Sequence, residues 1–333
     1  MPYSRRVRMA SSATTIVSAD GPLLDPILDA TFTIWHEGLS RDAYARWWQA
    51  QLRTVWGRAH LARFALVHGD EVLASAKEYR LRAVLEGRTH EVVGIGAVFT
   101  QPAHRGHGHA ADLVERLVVR AQERGSAAAL LFSEIGPDYY RRLGFEIVPT
   151  SECLLRVAES RRGAPATLVR AGDDRDLAAL AEMGRVRAER FRFHLDRDPD
   201  LIQYAIARRR LLAGLGPSGA RELHFFVAEE GASAVAYVVA SVREAEWVVL
   251  ECGDRDPTGA RVGAILQTLI ARQPAERRPS IRARLPPGFL PPQVEIAETR
   301  PAPDVMMIRP LAAPDPSPPL SESDVLYWQS DVF

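Results

Sequence analysis

Arg105-Gly106-His107-Gly108-His109-Ala110 stands at the junction of two segments with different periods, and that junction decides the fold. Upstream, residues 91–100 are apolar and β-branched and end at Gln101-Pro102, a stop for strand and helix alike. Downstream, Leu113, Val114, Leu117, Val118 and Ala121 recur at helical spacing over residues 110–124, with Asp112, Glu115, Arg116, Arg120 and Glu123 on the other side. Gly125 follows as a left-handed cap, and residues 128–132 are a short continuous apolar run. A strand that returns directly after a crossover helix pairs in parallel and is covered on both faces. The order is strand, loop, helix, strand.

The loop has its own chemistry. Gly106 and Gly108 let the backbone approach a diphosphate closely, and the free N–H groups of a helix N-terminus supply donors and the positive end of a dipole. Ala110 keeps that approach small, and Arg105 adds a charge-assisted bond. A Gly-x-Gly also occurs in a plain turn that starts a helix. The spacing matches neither the dinucleotide fingerprint nor the Walker loop, because no glycine follows at the required offset and no Gly-Lys-Ser/Thr is present.

Outward from this centre, the first half reads as a short strand at 14–18, helices at 23–34 and 42–56, and strands at 62–68, 71–85 and 91–100, which together predict a curved sheet. The polar run 159–165, broken by Gly163 and Pro165, is the domain boundary that composition suggests. Beyond it the element order begins again. Residues 167–170 resemble 16–19, helices are predicted at 173–186 and 201–212, strands at 223–228, 234–242 and 247–252, and a helix at 260–271. In this half the loop is replaced by Gly253-Asp254-Arg255-Asp256-Pro257-Thr258-Gly259, where Asp254 and Asp256 would repel a diphosphate. The predicted organisation is 11–158, 166–310 and a tail, 311–333, with a proline-rich spacer leading to Leu326, Tyr327, Trp328, Val332 and Phe333. That tail is too apolar to stay free and is expected to dock on the body.

Composition narrows the partners. At 333 residues the chain is long enough for two domains, and 47% hydrophobic with 25% charged residues describes an ordinary globular protein. Forty-two basic and 42 acidic residues leave no net charge, so nucleic acid is not an expected partner. Cys153 and Cys252 lack the spacing of a disulfide framework or zinc site, and His104, His107 and His109 have no Cys or carboxylate to complete a metal set. No apolar run has the length of a membrane span, and the basic start, Pro2 to Arg8 before Met9, lacks the apolar core of a signal peptide, which predicts a cytoplasmic location.

The loop resembles the coenzyme A signature of the GNAT superfamily of N-acetyltransferases, Arg/Gln-x-x-Gly-x-Gly/Ala at the start of the central helix, which Arg105, Gly108 and Ala110 fit. The second signature of that superfamily, a tyrosine four residues before Gly-aromatic, is matched by Tyr140-Arg141-Arg142-Leu143-Gly144-Phe145. More narrowly, Glu71-Val72-Leu73-Ala74-Ser75-Ala76, residues 94–105 and residues 132–140 are similar to fungal lysine N6-acetyltransferases and their bacterial relatives, over residues 31–155. Glu134, Phe145 and His109 stand where those relatives usually have Asp, Trp and Tyr.

The resemblance implies an α/β GNAT fold with a central mixed, splayed β-sheet flanked by helices, followed by a second, degenerate GNAT-like domain. It implies acetyl-CoA as cosubstrate, held by Arg105, Gly106, His107, Gly108, His109, Ala110 and the backbone of Thr100, and a small amine as acceptor, free lysine first. Tyr140 would protonate the departing thiolate, and Glu134 would take the ammonium's proton or remain a solvated strand-end carboxylate. Trp35, His36 and Glu37 would cover the acceptor. Phe333 enters by a further similarity, to the mycobacterial enhanced-intracellular-survival acetyltransferases, whose terminal carboxylate serves as base; the alternative is a tail that only staples the two halves. The rival functions are acetylation of another small amine, an antibiotic or a protein lysine, and coenzyme A binding without turnover.

Overall fold

A computed structural model describes residues 14–159, 167–311 and 318–333. The basic start, all but Glu159 of the polar boundary, and most of the proline-rich spacer lie outside the described residues. The first half runs β1 (Thr15–Ser18), α1 (Leu24–Trp35), α2 (Arg41–Arg53), α3 (Val55–His60), β2 (Leu61–His68), β3 (Glu71–Leu85), β4 (Arg88–Thr100), α4 (His109–Glu123), β5 (Ala128–Ser133), α5 (Asp138–Arg141), β6 (Glu146–Val148) and β7 (Ser151–Val157). The second runs β8 (Val169–Ala171), α6 (Leu177–Ala188), β9 (Phe193–Leu195), α7 (Pro199–Leu215), β10 (Glu222–Glu230), β11 (Ser233–Arg243), β12 (Glu246–Asp254), α8 (Ala260–Ala271), β13 (Ser280–Ala283), β14 (Val294–Pro301) and β15 (Val305–Pro310), and β16 (Val325–Leu326) lies in the tail.

The stretch predicted as one helix over 42–56 is two. Thr54 adopts an extended backbone, and its hydroxyl accepts from Gly57 N, so a capping residue restarts the helix in a new direction.

Two mixed sheets result. In the first, β1, β2, β3 and β4 pair antiparallel in that order, and β5 joins β4 in parallel after the α4 crossover. In the second, β8, β10, β11 and β12 repeat the pattern, and β13 joins β12 in parallel after α8. The sheets then exchange strands: β15 lies between β5 and β6, while β7 lies between β13 and β14. The polar break near residue 160 therefore divides the chain but not the sheets.

The first sheet is packed on both faces. Val93, Ile95 and Leu131 meet Leu113, Val114, Leu117 and Val118 of α4; each of these buried aliphatic side chains stabilises the fold by about 2 kcal/mol. On the opposite face Tyr79, Leu81, Val92 and Leu130 pack in one cluster with Tyr44 and Trp48 of α2 and with Leu201 and Tyr204 of α7. A helix of the second half thus covers the first sheet. Among the described residues no helix is long and apolar enough to cross a membrane.

Candidate active site

Gly106 and Gly108 both take φ +82°, the left-handed region, and a Cβ at either position would meet no atom within 4 Å. Gly108 is the N-cap of α4, and no side chain caps that N-terminus, so its first amides are left without a side-chain acceptor. Asp112 in the first turn would oppose an anion, but Arg116 forks onto its carboxylate at 2.8 and 3.0 Å. Arg105 Nε donates to the Thr100 carbonyl at 3.4 Å, tying the loop back to the end of β4. His104 Nε2 lies 2.9 Å from Glu71 Oε1 and His107 Nδ1 3.3 Å from the His104 carbonyl, while the His107 and His109 rings stack 5.9 Å apart. Among the described residues no group of three His, Cys, Asp or Glu gathers as a metal site.

Behind the loop the sheet opens. β4 pairs with β5 only through Val92, Val93 and Gly94. Past Gly94, its backbone on the β5 side is released from strand pairing. Here β4 carries a bulge against β3, with Ala97 at φ +47°, a strained conformation for alanine. The resulting cavity, about 230 Å³, is lined by Gly96, Ala97 and Val98 of the bulge, by Tyr140 and Glu134, and by Phe333.

Tyr140 reaches this cavity through the turn its signature encodes. Gly144 at φ +78° ends the short α5, which lets the amides of Leu143 and Phe145 both reach the Tyr140 carbonyl and buries Phe145 in the α4 core. The Tyr140 ring meets Tyr139 and Phe145 edge-on at 5.0 and 6.1 Å, and burial pushes its pKa up to about 12, so the hydroxyl stays protonated at neutral pH. Glu134 is exposed at the cavity mouth. Burial, then Asp304 and Glu37, raise its pKa above the usual carboxylate range.

The three residues read from the α1–α2 connection separate. Trp35 lines the cavity and meets Phe99 edge-on at 6.4 Å. Glu37, at φ +53°, lines it too and is held by Arg221 at 3.0 Å. His36 does not: its Nδ1 accepts from Gly38 N at 3.0 Å and it borders a neighbouring cleft, because the local turn consumes the imidazole.

The tail docks in the groove between the halves. Val325 and Leu326 pair with β9, and Trp328 is buried in the second core. Arg197 holds Asp331 at 3.0 Å, and Arg208 donates to the carbonyls of Ser330 and Val332 at 3.1 and 2.6 Å. Phe333 then lies over β4, where a Cβ on Gly94 would meet its ring and a Cβ on Gly96 would come within 3.2 Å of its carboxyl carbon.

Sequence reasoning missed Lys77, opposite Gly96 on β3. Its ammonium sits over the rings of Trp48 and Trp47, at 5.0 and 5.7 Å, and lines the cavity. Burial, then Arg63 and Arg208, hold its pKa well below the usual lysine value. A lone lysine in an alternating strand carries no signal of this in sequence.

In the second half the corresponding helix start is closed. Gly259 caps α8 at φ +75°, as Gly108 caps α4, but the Asp254 carboxylate accepts from Arg261 N and Val262 N at 2.9 and 3.3 Å. A carboxylate already satisfies the amides that a phosphate would need. Phe289 and Pro291 crowd Gly259 as well.

An uncapped, glycine-opened helix start beside a sheet split at its middle strands is the arrangement expected of a coenzyme A-dependent acyltransferase with the signatures of this sequence. Comparison makes this specific: residues 29–148 match the family model described as acetyltransferase (GNAT) domain. These residues belong to the GNAT superfamily, and the chain is an acyltransferase whose cosubstrate is acetyl-CoA. Among solved structures, a GCN5-related N-acetyltransferase from Kribbella flavida is similar at 20% identity and TM-score 0.66, over 90% of this chain and 71% of that one. A GCN5-related N-acetyltransferase from Anabaena variabilis gives 13% and 0.67, over 90% and 73%. Eis1 from Mycobacterium abscessus gives 19% and 0.52, over 90% and 74%. At these identities the likeness is one of fold. Comparison with curated protein sequences finds no match.

Proposed function

We propose that the chain acetylates a primary amine by direct attack on the thioester, with the side-chain amine of free lysine as leading acceptor. The observation that carries this reading is the cavity shared by Tyr140, Glu134 and Phe333 beside the β4 bulge. The lysine preference rests on the similarity of residues 31–155 to lysine N6-acetyltransferases.

Acetyl-CoA supplies an activated acyl group. Arg105, the amides from Gly106 to Ala110 and the Thr100 backbone would hold its pyrophosphate and pantetheine arm; the open space beside Gly106 and Gly108 and the uncapped α4 amides fit that group. Starting from the ammonium, reaction forms an N–C bond as the C–S bond breaks; two protons leave nitrogen, one before attack and one after it, one is delivered to sulfur, and one is released. Tyr140, kept protonated by burial, donates toward the sulfur. Glu134 and the Phe333 carboxylate are the candidate acceptors, and the amine needs one because its ordinary pKa is about 10.4. Backbone amides of β4 past Gly94, free of pairing with β5, would be donors to the developing oxyanion. Trp35 and Glu37 would close over the acceptor.

The second half is a non-catalytic copy that shapes the pocket or stabilises the first half, a reading supported by Asp254 capping α8 and by α7 packing in the core of the first sheet. Thiol release from acetyl-CoA with a panel of amines, products identified by mass spectrometry, tests the reading. Acetyl-lysine is the expected product. Release with other amines alone would replace the acceptor, and no release with any amine would leave a coenzyme A-binding regulator.

A further inference from the structure

Beyond the thioester end, the cavity meets a second one of about 200 Å³, and Glu37 and Arg209 line both. This second cavity lies on the face of the second sheet where Ser241 pairs with Val248, Arg243 with Glu246, and Val248 with Arg282. Four arginines, at 209, 221, 243 and 282, face two carboxylates, Glu37 and Glu246. Three of the four are accounted for. Arg282 is held by Glu246 and Glu152 at 2.7 and 2.6 Å, Arg221 by Glu37 at 3.0 Å, and Arg243 reaches Glu37 at 3.9 Å.

Arg209 is the exception. Its Nε is buried with no hydrogen-bond partner among the described residues, although Arg208 beside it clamps the tail. A buried guanidinium donor left unpaired is costly, and a planar fork of donors fits a carboxylate. Burial, then Arg208, lower its pKa; Glu37 opposes them, Arg221 lowers it further, and Asp304 again opposes. An anion arriving from outside would relieve both the desolvation and the repulsion.

We infer that the acceptor carries a carboxylate as well as its amine, and that Arg209 reads that carboxylate while the amine points to the bulge. The inference rests on the acetyltransferase reading and narrows it to amino acids whose reactive amine lies away from the acid group. Free lysine is a member of this class; polyamines and aminoglycoside-like polycations are not. Glu134, the Phe333 carboxylate and Arg209 line one cavity, which therefore offers an acid group for the amine and a guanidinium for the carboxylate of such a zwitterion.

Matched acceptor pairs test it: lysine against cadaverine, and 4-aminobutyrate against butylamine. The acid member should be preferred by about tenfold or more in kcat/KM, mainly through KM. Arg209→Ala should abolish the preference and Arg209→Lys should restore part of it; Arg209→Gln, which keeps donors and volume, substitutes if the alanine variant does not fold. Equal use of both members, or a preference that survives Arg209→Ala, overturns the inference while leaving the enzyme an acetyltransferase. If no amine reacts, the broader reading fails instead, and calorimetry with N6-acetyllysine and N-acetylcadaverine decides the site: carboxylate-dependent binding lost in Arg209→Ala upholds it, and equal binding overturns it.

Discussion

The ring of Phe333 stacks on that of Tyr79, centroids 4.5 Å apart and planes inclined by 29°, and it closes against Phe132 edge-on at 5.0 Å. The third side of its seat is Gly94, where a Cβ would come within 2.4 Å of the ring. The last residue of the tail is thus fitted to a strand position that has no side chain. Gly94→Val suits a strand but fills the seat. It should displace Phe333 at a cost of about 2 kcal/mol and lower kcat, with acetyl-CoA affinity retained because the α4 loop is untouched. Equal kcat and an unchanged thermal midpoint would mean that the tail does not need this seat.

A related variant separates the carboxyl group of Phe333 from its ring. Two or three residues appended after Phe333 leave the ring, the Arg208 clamp and the Arg197–Asp331 pair in place but remove the carboxylate from its position over Gly96. If that carboxylate takes the amine's proton, kcat should fall by at least about tenfold while the thermal midpoint stays within a degree or two. Full activity in the extended chain would leave Glu134 or a water path as acceptor.

Tyr140→Phe keeps the ring that packs against Tyr139 and Phe145 and removes only the hydroxyl. Loss of a general acid should lower kcat by about a hundredfold with acetyl-CoA affinity nearly unchanged. Parent-like kcat would make Tyr140 a packing residue.

How far the sequence can be read depends on how local the determining contacts are. β3 over 71–85 and α8 over 260–271 match their predicted bounds, because each is a strong pattern between turn or cap residues. The exchange of β7 and β15 is illegible for the opposite reason. Met307 pairs with Leu131 and Ile147, and Leu155 with Ile281, across separations that no local period records. β9 and β16, three and two residues long, are too short for any pattern. In the site, the loop and the Tyr140 turn are legible because glycines at positive φ fix them. Lys77 and Arg209 gain their environments from helices and strands far away in sequence, so nothing local distinguishes them from solvated charges.

The two helix starts make a paired test. Gly108 opens α4 to an anion, whereas Asp254 already occupies the equivalent amides of α8. Gly108→Glu sets a like charge and a strained backbone in the loop and should abolish acetyl-CoA binding, measured by calorimetry. Gly108→Asn tolerates the left-handed conformation without adding charge and should bind more weakly than the parent but measurably. Unchanged affinity in the glutamate variant would place the pyrophosphate elsewhere.

The pH profile addresses the role of Glu134. Its pKa is raised by burial first and by Asp304 and Glu37 next, so on acidification it takes up a proton above the usual carboxylate value of about 4.3. A base must be deprotonated to act, so kcat/KM should rise with pH through this displaced value and flatten above it. Glu134→Gln should remove that limb and lower the plateau. Linkage supplies a second readout with its own sign: a carboxyl whose folded pKa lies above its unfolded one binds protons more tightly in the folded state, so its contribution to stability declines as pH rises through that interval. The glutamine variant escapes that decline, and its thermal midpoint relative to the parent should be higher at pH 7 than at pH 4, modestly, because Glu134 is exposed. A midpoint difference that follows this sign while the kinetic limb persists would show that Glu134 titrates as expected but does not carry the proton, and would leave the Phe333 carboxylate or a water path as acceptor.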